Sequence, residues 1–152
     1  MEARSLDAFR QQAREFTLSL GPGSAARLVT LTGELGAGKT TFVQEVARTL
    51  GVEETVSSPT FVIEKRYELR GQTFAHLIHI DAYRLKSEEE LLKLGWHELL
   101  ADSGKLIFLE WPERVPRLIP EAAVRVQIDI TREGRIITVD GKESGEEKNK
   151  DR

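Results

Sequence analysis

One uninterrupted motif carries the clearest chemical signal in this chain. Residues 33–40 read GELGAGKT, which matches the G-x-x-x-x-G-K-[ST] pattern of a phosphate-binding loop. Glycines let successive backbone N–H groups converge on phosphate oxygens, and a helix that begins near Lys39 adds the positive end of its dipole. We therefore predict a site for a nucleoside triphosphate formed by Gly33, Glu34, Leu35, Gly36, Ala37, Gly38, Lys39, Thr40 and Thr41.

The residues at the end of the motif indicate which side chains would contact the phosphates and the metal. The Lys39 ammonium is expected between the β- and γ-phosphates, and the Thr40 hydroxyl is an expected ligand of Mg²⁺, which prefers oxygen. Thr41 is placed to contact the α-phosphate.

Two acidic residues follow apolar runs that are typical of buried strands. Asp81 comes after HLIHI, and Glu110 ends LIFLE. Open α/β sheets bind ligands at the carboxyl ends of their strands, so both carboxylates are candidates for holding Mg²⁺ or orienting water. The sequence does not divide these two tasks, and a helix cap or a turn is the structural alternative for Asp81.

Other candidate residues have an ordinary structural interpretation beside the functional one. Thr60 lies in SSPTF, which suits a loop that senses a γ-phosphate but is also typical of a simple turn. Trp111 fits a core position, a base-stacking surface or a partner contact. Arg84 fits a cation at the γ-phosphate, a partner contact or a surface residue. The three histidines lack metal-ligand spacing, so we interpret them as packed or surface residues.

Hydrophobic periodicity predicts the elements that position these residues. Helical spacing alternates with short β-branched runs, and glycines separate them. The predicted order is a helix over 5–20, a strand over 28–32, a helix over 39–50, a hairpin of 61–69 with 74–80, a helix opened by a Ser87–Glu90 capping box, a central strand over 105–111, and a second hairpin of 124–130 with 135–140.

This order of elements predicts the fold class. We expect a single-domain P-loop NTPase with three α/β layers, whose central sheet is mixed, mainly parallel and flanked by β-hairpins. The domain is expected to span residues 1–140. Residues 141–152 contain four basic and four acidic residues and no apolar one, so we predict a disordered tail.

Composition limits the classes of function. The chain has 152 residues, of which 39% are hydrophobic and 31% charged, and its formal net charge is −3. This charge gives no bulk attraction to nucleic acid or to anionic membranes. The absence of cysteine removes disulfides and thiol chemistry. No apolar run reaches the roughly 20 residues needed to cross a bilayer, so we predict a cytoplasmic protein without membrane contact.

Four motifs in order carry a resemblance to a known family. GELGAGKTTF, SSPTF, HIDAYRL and FLEWPE resemble the TsaE (YjeE) family of small bacterial P-loop ATPases. The resemblance implies a role in making threonylcarbamoyladenosine, the modified base beside the anticodon of tRNAs that read codons starting with A. It implies ATP and Mg²⁺ as cofactors, ADP as product, slow hydrolysis in isolation, TsaD and TsaB as partners, and an indirect link to tRNA through that complex. The sequence leaves direct contact with tRNA open.

The resemblance also implies roles for individual residues. By position, Lys39 is similar to the family's phosphate lysine, Thr40 to its magnesium hydroxyl and Asp81 to its Walker B-like aspartate. The remaining implied positions are Thr60 as a switch-like threonine, Glu110 and Trp111 as an EW pair at the metal and nucleotide, Ser5 in place of a threonine near the nucleotide, and Arg135 as a late basic residue near it.

Two other functions would use the same loop. A small-molecule P-loop kinase needs an acceptor pocket and a basic lid, and only residues 85–100 form an obvious insertion. A nucleotide-gated scaffold would use ATP to order SSPTF without needing turnover. The ATPase remains the leading prediction.

Overall fold

The computed structural model describes residues 2–34, 36–54 and 64–140. The predictions for Leu35, for Thr60 and its SSPTF segment, for residues 61–63 and for the tail at 141–152 lie outside these ranges. The strands are β1 (Glu2–Ala3), β2 (Arg27–Gly33), β3 (Glu64–Glu68), β4 (His76–Asp81), β5 (Lys105–Glu110), β6 (Val124–Ile130) and β7 (Arg135–Asp140). The helices are α1 (Leu6–Ser19), α2 (Lys39–Thr49), α3 (Glu88–Lys93) and α4 (Trp96–Ala101), and short 3₁₀ turns cover Pro112–Arg114 and Pro116–Leu118.

The strands in these described ranges form one seven-stranded sheet in the order β1-β7-β6-β2-β5-β4-β3. The four central strands are parallel, because β2 pairs with both β5 and β6 and β4 pairs with β5 in that sense. The pairs at the two edges are antiparallel. The predicted mixed, mainly parallel sheet is therefore confirmed, and each hairpin contributes one strand to its parallel centre.

Helices cover both faces of the sheet and give three layers. Side chains alternate along a strand, so on β5 Phe108 joins the core beneath α1 and α2, while Ile107 joins the core that contains Trp96 of α4. The buried Glu45 carboxylate on α2 also forms an ion pair with Arg14 on α1, 3.6 Å between Nη2 and Oε2. None of the helices in the described ranges is long and apolar enough to cross a membrane.

Two local features differ from the prediction. Strand β1 was not predicted, because a two-residue strand is too short to show a period; it pairs Glu2 with Ile136 at the sheet edge. The predicted capping box is wrong: the Ser87 side chain makes no cap hydrogen bond, and Glu90 Oε1 accepts from the Lys86 backbone N–H at 2.7 Å. The glutamate therefore closes the preceding turn instead of pairing with Ser87.

Phe42 is the side chain that joins α1, α2 and the sheet. Its ring centroid lies 6.1 Å from that of Phe9, 5.6 Å from that of Phe16 and 6.4 Å from that of Phe108. We expect Phe42→Ala to lower the free energy of unfolding by about 3–5 kcal/mol in urea titrations, because it leaves a cavity between three aromatic rings. Leu18→Ala, on an exposed side chain of α1, is the control, and a similar loss in both variants would contradict this account of the core.

Candidate functional site

Lys39 lies at the junction of the glycine loop and α2. Its Nζ donates a hydrogen bond to the Gly33 carbonyl oxygen at 2.8 Å and lies 4.3 Å from the centroid of the Trp111 ring. The residue is only 7% exposed, and among the described residues no carboxylate lies within ion-pair distance of Nζ. Burying an ammonium without a counter-charge is unfavourable, so this position suits an incoming anion.

The loop geometry before Lys39 requires glycine at two positions. Gly36 has φ +83° and Gly38 has φ +114°, values that L side chains rarely adopt. A Cβ on Gly38 would also lie 3.1 Å from Phe9 Cζ. The glycines thus allow the backbone to turn immediately before α2 begins at Lys39, as the phosphate-loop motif predicts.

Parallel pairing brings the two predicted carboxylates to the same end of the sheet. Asp81 and Glu110 are paired residues on β4 and β5, and Glu110 is paired with Leu31 on β2, two residues before Gly33. Asp81 Oδ1 accepts a hydrogen bond from the Tyr83 backbone N–H at 2.9 Å. This contact is the turn role that the sequence left open, and it does not remove Asp81 from the site.

The pKa of the Asp81 carboxyl is raised above its ordinary value, chiefly because the group is partly buried. Burial raises the pKa of Asp81, and the neighbouring Glu110 carboxylate raises it further. The hydrogen bond from Tyr83 and the charges of His79 and Lys39 act in the opposite direction but do not cancel the rise. A divalent cation would relieve this repulsion, and the two carboxylates with the Thr40 hydroxyl supply the hard oxygen atoms that Mg²⁺ prefers.

A cavity of about 570 Å³ joins these groups. It brings Lys39, Thr40, Asp81, Glu110 and Trp111 together beside the loop. Within the described ranges, the residues that line it are Gly36, Gly38, Lys39, Thr40, Thr41, Asp81, Tyr83, Arg84, Glu110 and Trp111. In the described part of the chain, no three acidic or histidine side chains form a metal cluster by themselves, so the Thr40 hydroxyl and a ligand oxygen would have to complete a metal site.

A second cavity, of about 300 Å³, lies against the other side of the same loop. Ser5, Ala37 and Arg135 line it, and Gly36, Gly38 and Thr41 line both cavities. The Ser5 hydroxyl caps α1 by accepting from the Ala8 N–H at 3.0 Å.

Arg135 contacts the backbone of the glycine loop directly. Its Nε donates to the Ala37 carbonyl oxygen at 2.9 Å, and its Nη2 donates to that of Gly36 at 3.4 Å. These hydrogen bonds connect β7 to the loop.

A larger trough of about 770 Å³ lies over β6 and β7 and is separate from this site. Gly33 and Glu34 border it, but Lys39, Thr40, Asp81 and Glu110 do not. Glu34 thus lines this trough and not the 570 Å³ cavity, while its backbone carbonyl stays within the loop and accepts a hydrogen bond from the Ala37 N–H at 3.0 Å.

Sequence reasoning missed two residues of the site. His79 was interpreted as packed or exposed, and it is fully buried with its Nε2 2.7 Å from Glu110 Oε2. The Tyr83 ring packs against Trp111 at a tilt of 50°, with 4.9 Å between ring centroids. Strand alternation could have identified His79, because it places that residue on the same face as Asp81.

Trp111 forms part of the wall of the 570 Å³ cavity. The sequence also allowed a core position or a partner contact for this residue. Trp111 has φ +61° and ψ +52°, an uncommon conformation for a bulky residue that costs roughly 1–3 kcal/mol. This backbone begins the turn at Pro112–Arg114, and the ring stands between Lys39 and Tyr83.

The fold and the site define a P-loop-type protein, and comparisons with known proteins identify the family. The protein-family model described as "Threonylcarbamoyl adenosine biosynthesis protein TsaE" matches residues 3–137. This chain belongs to the TsaE family, which is involved in tRNA threonylcarbamoyladenosine biosynthesis.

Individual relatives agree with this assignment. The chain is 39% identical over 113 residues to the tRNA threonylcarbamoyladenosine biosynthesis protein TsaE of Treponema pallidum, a match that covers 74% of this chain and 80% of the relative. It is 42% identical over 106 residues to the protein of that name from Streptomyces coelicolor, covering 69% and 70%. The crystal structure of Bacillus subtilis YdiB superposes with a TM-score of 0.69 at 26% identity, covering 89% of this chain and 79% of YdiB.

The raised pKa of Asp81 predicts how the stability of the fold depends on pH. A carboxyl whose pKa is raised on folding opposes folding once it ionises, so it costs stability as the pH rises above its ordinary value of 3.8. We expect Asp81→Asn, measured in EDTA by thermal unfolding, to be more stable than wild type at pH 7, with the gain shrinking as the pH falls toward about 4.

Asp102 provides the control of opposite sign. The Lys105 ammonium and the Gly104 N–H lower the pKa of this exposed carboxyl, so its contribution to stability is present at neutral pH and is lost as the pH falls. Asp102→Asn should therefore destabilise the fold slightly at pH 7. An Asp81→Asn variant less stable than wild type at pH 7 without metal would contradict the electrostatic description of the site.

Proposed function

We propose that this chain binds ATP and Mg²⁺ in the 570 Å³ cavity and hydrolyses ATP as a subunit of the tRNA threonylcarbamoyladenosine machinery. The observation that carries the proposal is the buried Lys39 ammonium, without a carboxylate partner among the described residues, in one cavity with Thr40, Asp81 and Glu110. A triphosphate would provide the missing negative charge and replace the contacts that Nζ makes with Gly33 and Trp111.

The residues around the cavity have complementary roles in this proposal. Lys39 neutralises phosphate oxygens, and the loop N–H groups orient them. The Thr40 hydroxyl and the Asp81 and Glu110 carboxylates hold the metal and its water shell and orient the attacking water. Mg²⁺, when bound, neutralises the charge that develops on the phosphate oxygens. Thr60 is proposed as the residue that senses the γ-phosphate.

The second cavity is proposed as the nucleoside side of the site. It adjoins the first through Gly36, Gly38 and Thr41, so a nucleotide with its phosphates at Lys39 would extend toward Ser5 and Arg135. Arg135 would act chiefly by holding the loop carbonyls, since its Nε already donates to Ala37.

The partner proposal follows from the family. We infer that TsaD and TsaB proteins bind this chain in the cytoplasm, that contact with tRNA occurs through them, and that hydrolysis is slow without them. P-loop hydrolysis depends on positioning and on positive charge at the γ-phosphate, and a missing cation can reduce the rate by several orders of magnitude. A partner could complete the site in this way.

Lys39→Ala tests the phosphate contact. We expect calorimetry with ATP and Mg²⁺ to give an affinity weaker by about 10-fold to 100-fold, because a charge-assisted hydrogen bond contributes about 1.5–3 kcal/mol. Lys93→Ala, on an exposed lysine of α3, should bind like wild type. Equal affinity of the Lys39 variant and wild type would contradict the assignment of Lys39.

Phosphate release in the presence of partners tests the proposed reaction. We expect slow release from the chain alone, faster release when purified TsaD and TsaB are added, and loss of the stimulated rate in Glu110→Gln. Wild-type protein that binds ATP but releases no phosphate even in the mixture would overturn the ATPase proposal and favour a nucleotide-gated scaffold.

A further inference from the structure

His79 and Glu110 form a buried polar pair across neighbouring strands. His79 lies on β4 and is 0% exposed, and Glu110 ends β5 and is 3% exposed. His79 Nε2 lies 2.7 Å from Glu110 Oε2. Because a carboxylate only accepts hydrogen bonds, we assign Nε2–H as the donor of this contact.

Stability does not explain this pair. Within the described ranges, His79 Nδ1 is buried without a hydrogen-bond partner, and an unsatisfied buried polar atom is unfavourable. Well-packed apolar residues commonly replace buried polar pairs with no loss of stability, and the neighbouring positions Leu77 and Phe108 already form such a core. The arrangement therefore suits a function of the Glu110 side chain.

The position of Glu110 indicates what that function is. Glu110 lines the 570 Å³ cavity with Lys39 and Thr40, although most of its surface is buried. The hydrogen bond to Oε2 limits rotation of the side chain, and Oε1 takes no part in that bond. Misplacing a reacting group by about 1 Å can reduce a rate about 100-fold, so such a restraint affects turnover more than ligand affinity.

We propose that His79 is a positioning residue, which holds Oε2 of Glu110 so that the other carboxylate oxygen serves the reaction. The proposal rests on the ATPase function proposed above. It assigns to His79 no contact with nucleotide or metal, and it predicts that the effect of His79 on turnover passes through the Glu110 carboxylate.

A double-mutant cycle tests this dependence in the full chain with TsaD and TsaB. We expect His79→Leu to reduce kcat by about 10-fold to 100-fold, with KM for ATP changed less than about threefold, because the phosphate contacts of Lys39 remain. His79→Gln retains an amide N–H donor and should recover most of kcat. In a Glu110→Gln background, where only the slow unstimulated release remains, His79→Leu should not lower that residual rate further, because no carboxylate is left to position.

An NMR measurement on the protein without nucleotide gives a second readout. The ¹⁵N spectrum of the histidine rings should show hydrogen on Nε2 of His79, with a coupling to that nitrogen that changes in Glu110→Gln. This NMR measurement is made without the His79→Leu variant and so does not depend on its folding. Urea unfolding establishes which variants are native before their kinetics are compared.

The outcomes separate the two proposals. Wild-type kcat in His79→Leu, an equal loss in the Glu110→Gln background, or an Nε2 without hydrogen would overturn the positioning role. A wild-type protein that releases no phosphate with its partners overturns the ATPase proposal instead, and the NMR result then decides whether His79 holds Glu110.

Discussion

The parallel pairing of β2, β5 and β4 is the constraint on which the candidate site depends. Glu110 on β5 is paired with Leu31 on β2 at one side and with Asp81 on β4 at the other. The glycine loop after β2 and both carboxylates therefore lie at the same edge of the sheet. Parallel strands require long connections, and these connections supply the helices that bury both faces. A shift of one residue in this register would turn Glu110 and its neighbours to the opposite face. The packing of the two cores therefore determines which side chains lie together at this edge of the sheet.

Charges within this edge are arranged for a ligand more than for the stability of the chain alone. Lys39 is buried against a carbonyl and an aromatic ring, and the pKa of Asp81 is raised. Each feature is unfavourable on its own. The proposed nucleotide and divalent cation would supply the negative and positive charges that Lys39 and Asp81 lack, so we expect their binding to stabilise the fold.

The sequence was sufficient to predict most of the scaffold. It also selected Lys39, Asp81 and Glu110, which the structure brings to one cavity and whose roles stay predictions. Long periodic segments predicted α1 and α2, and the unbroken apolar run at 105–111 predicted the buried β5, because burial on one or both faces leaves a clear pattern. It could not predict β1, which is two residues long, or the Glu90 contact, which depends on the path of the preceding turn. The His79–Glu110 contact was also inaccessible, because it requires the register between two strands that are distant in the sequence. Tyr83 beside Trp111 depends on the unusual backbone conformation of Trp111.

The most direct test of the central claim is a crystal structure of the full chain grown with a nonhydrolysable ATP analogue and Mg²⁺. We expect the triphosphate beside Lys39, with the metal bordered by Thr40 and the two strand-end carboxylates and the nucleoside toward Ser5 and Arg135. The account would be contradicted by nucleotide density at another surface while the Lys39 Nζ still donates its hydrogen bond to the Gly33 carbonyl.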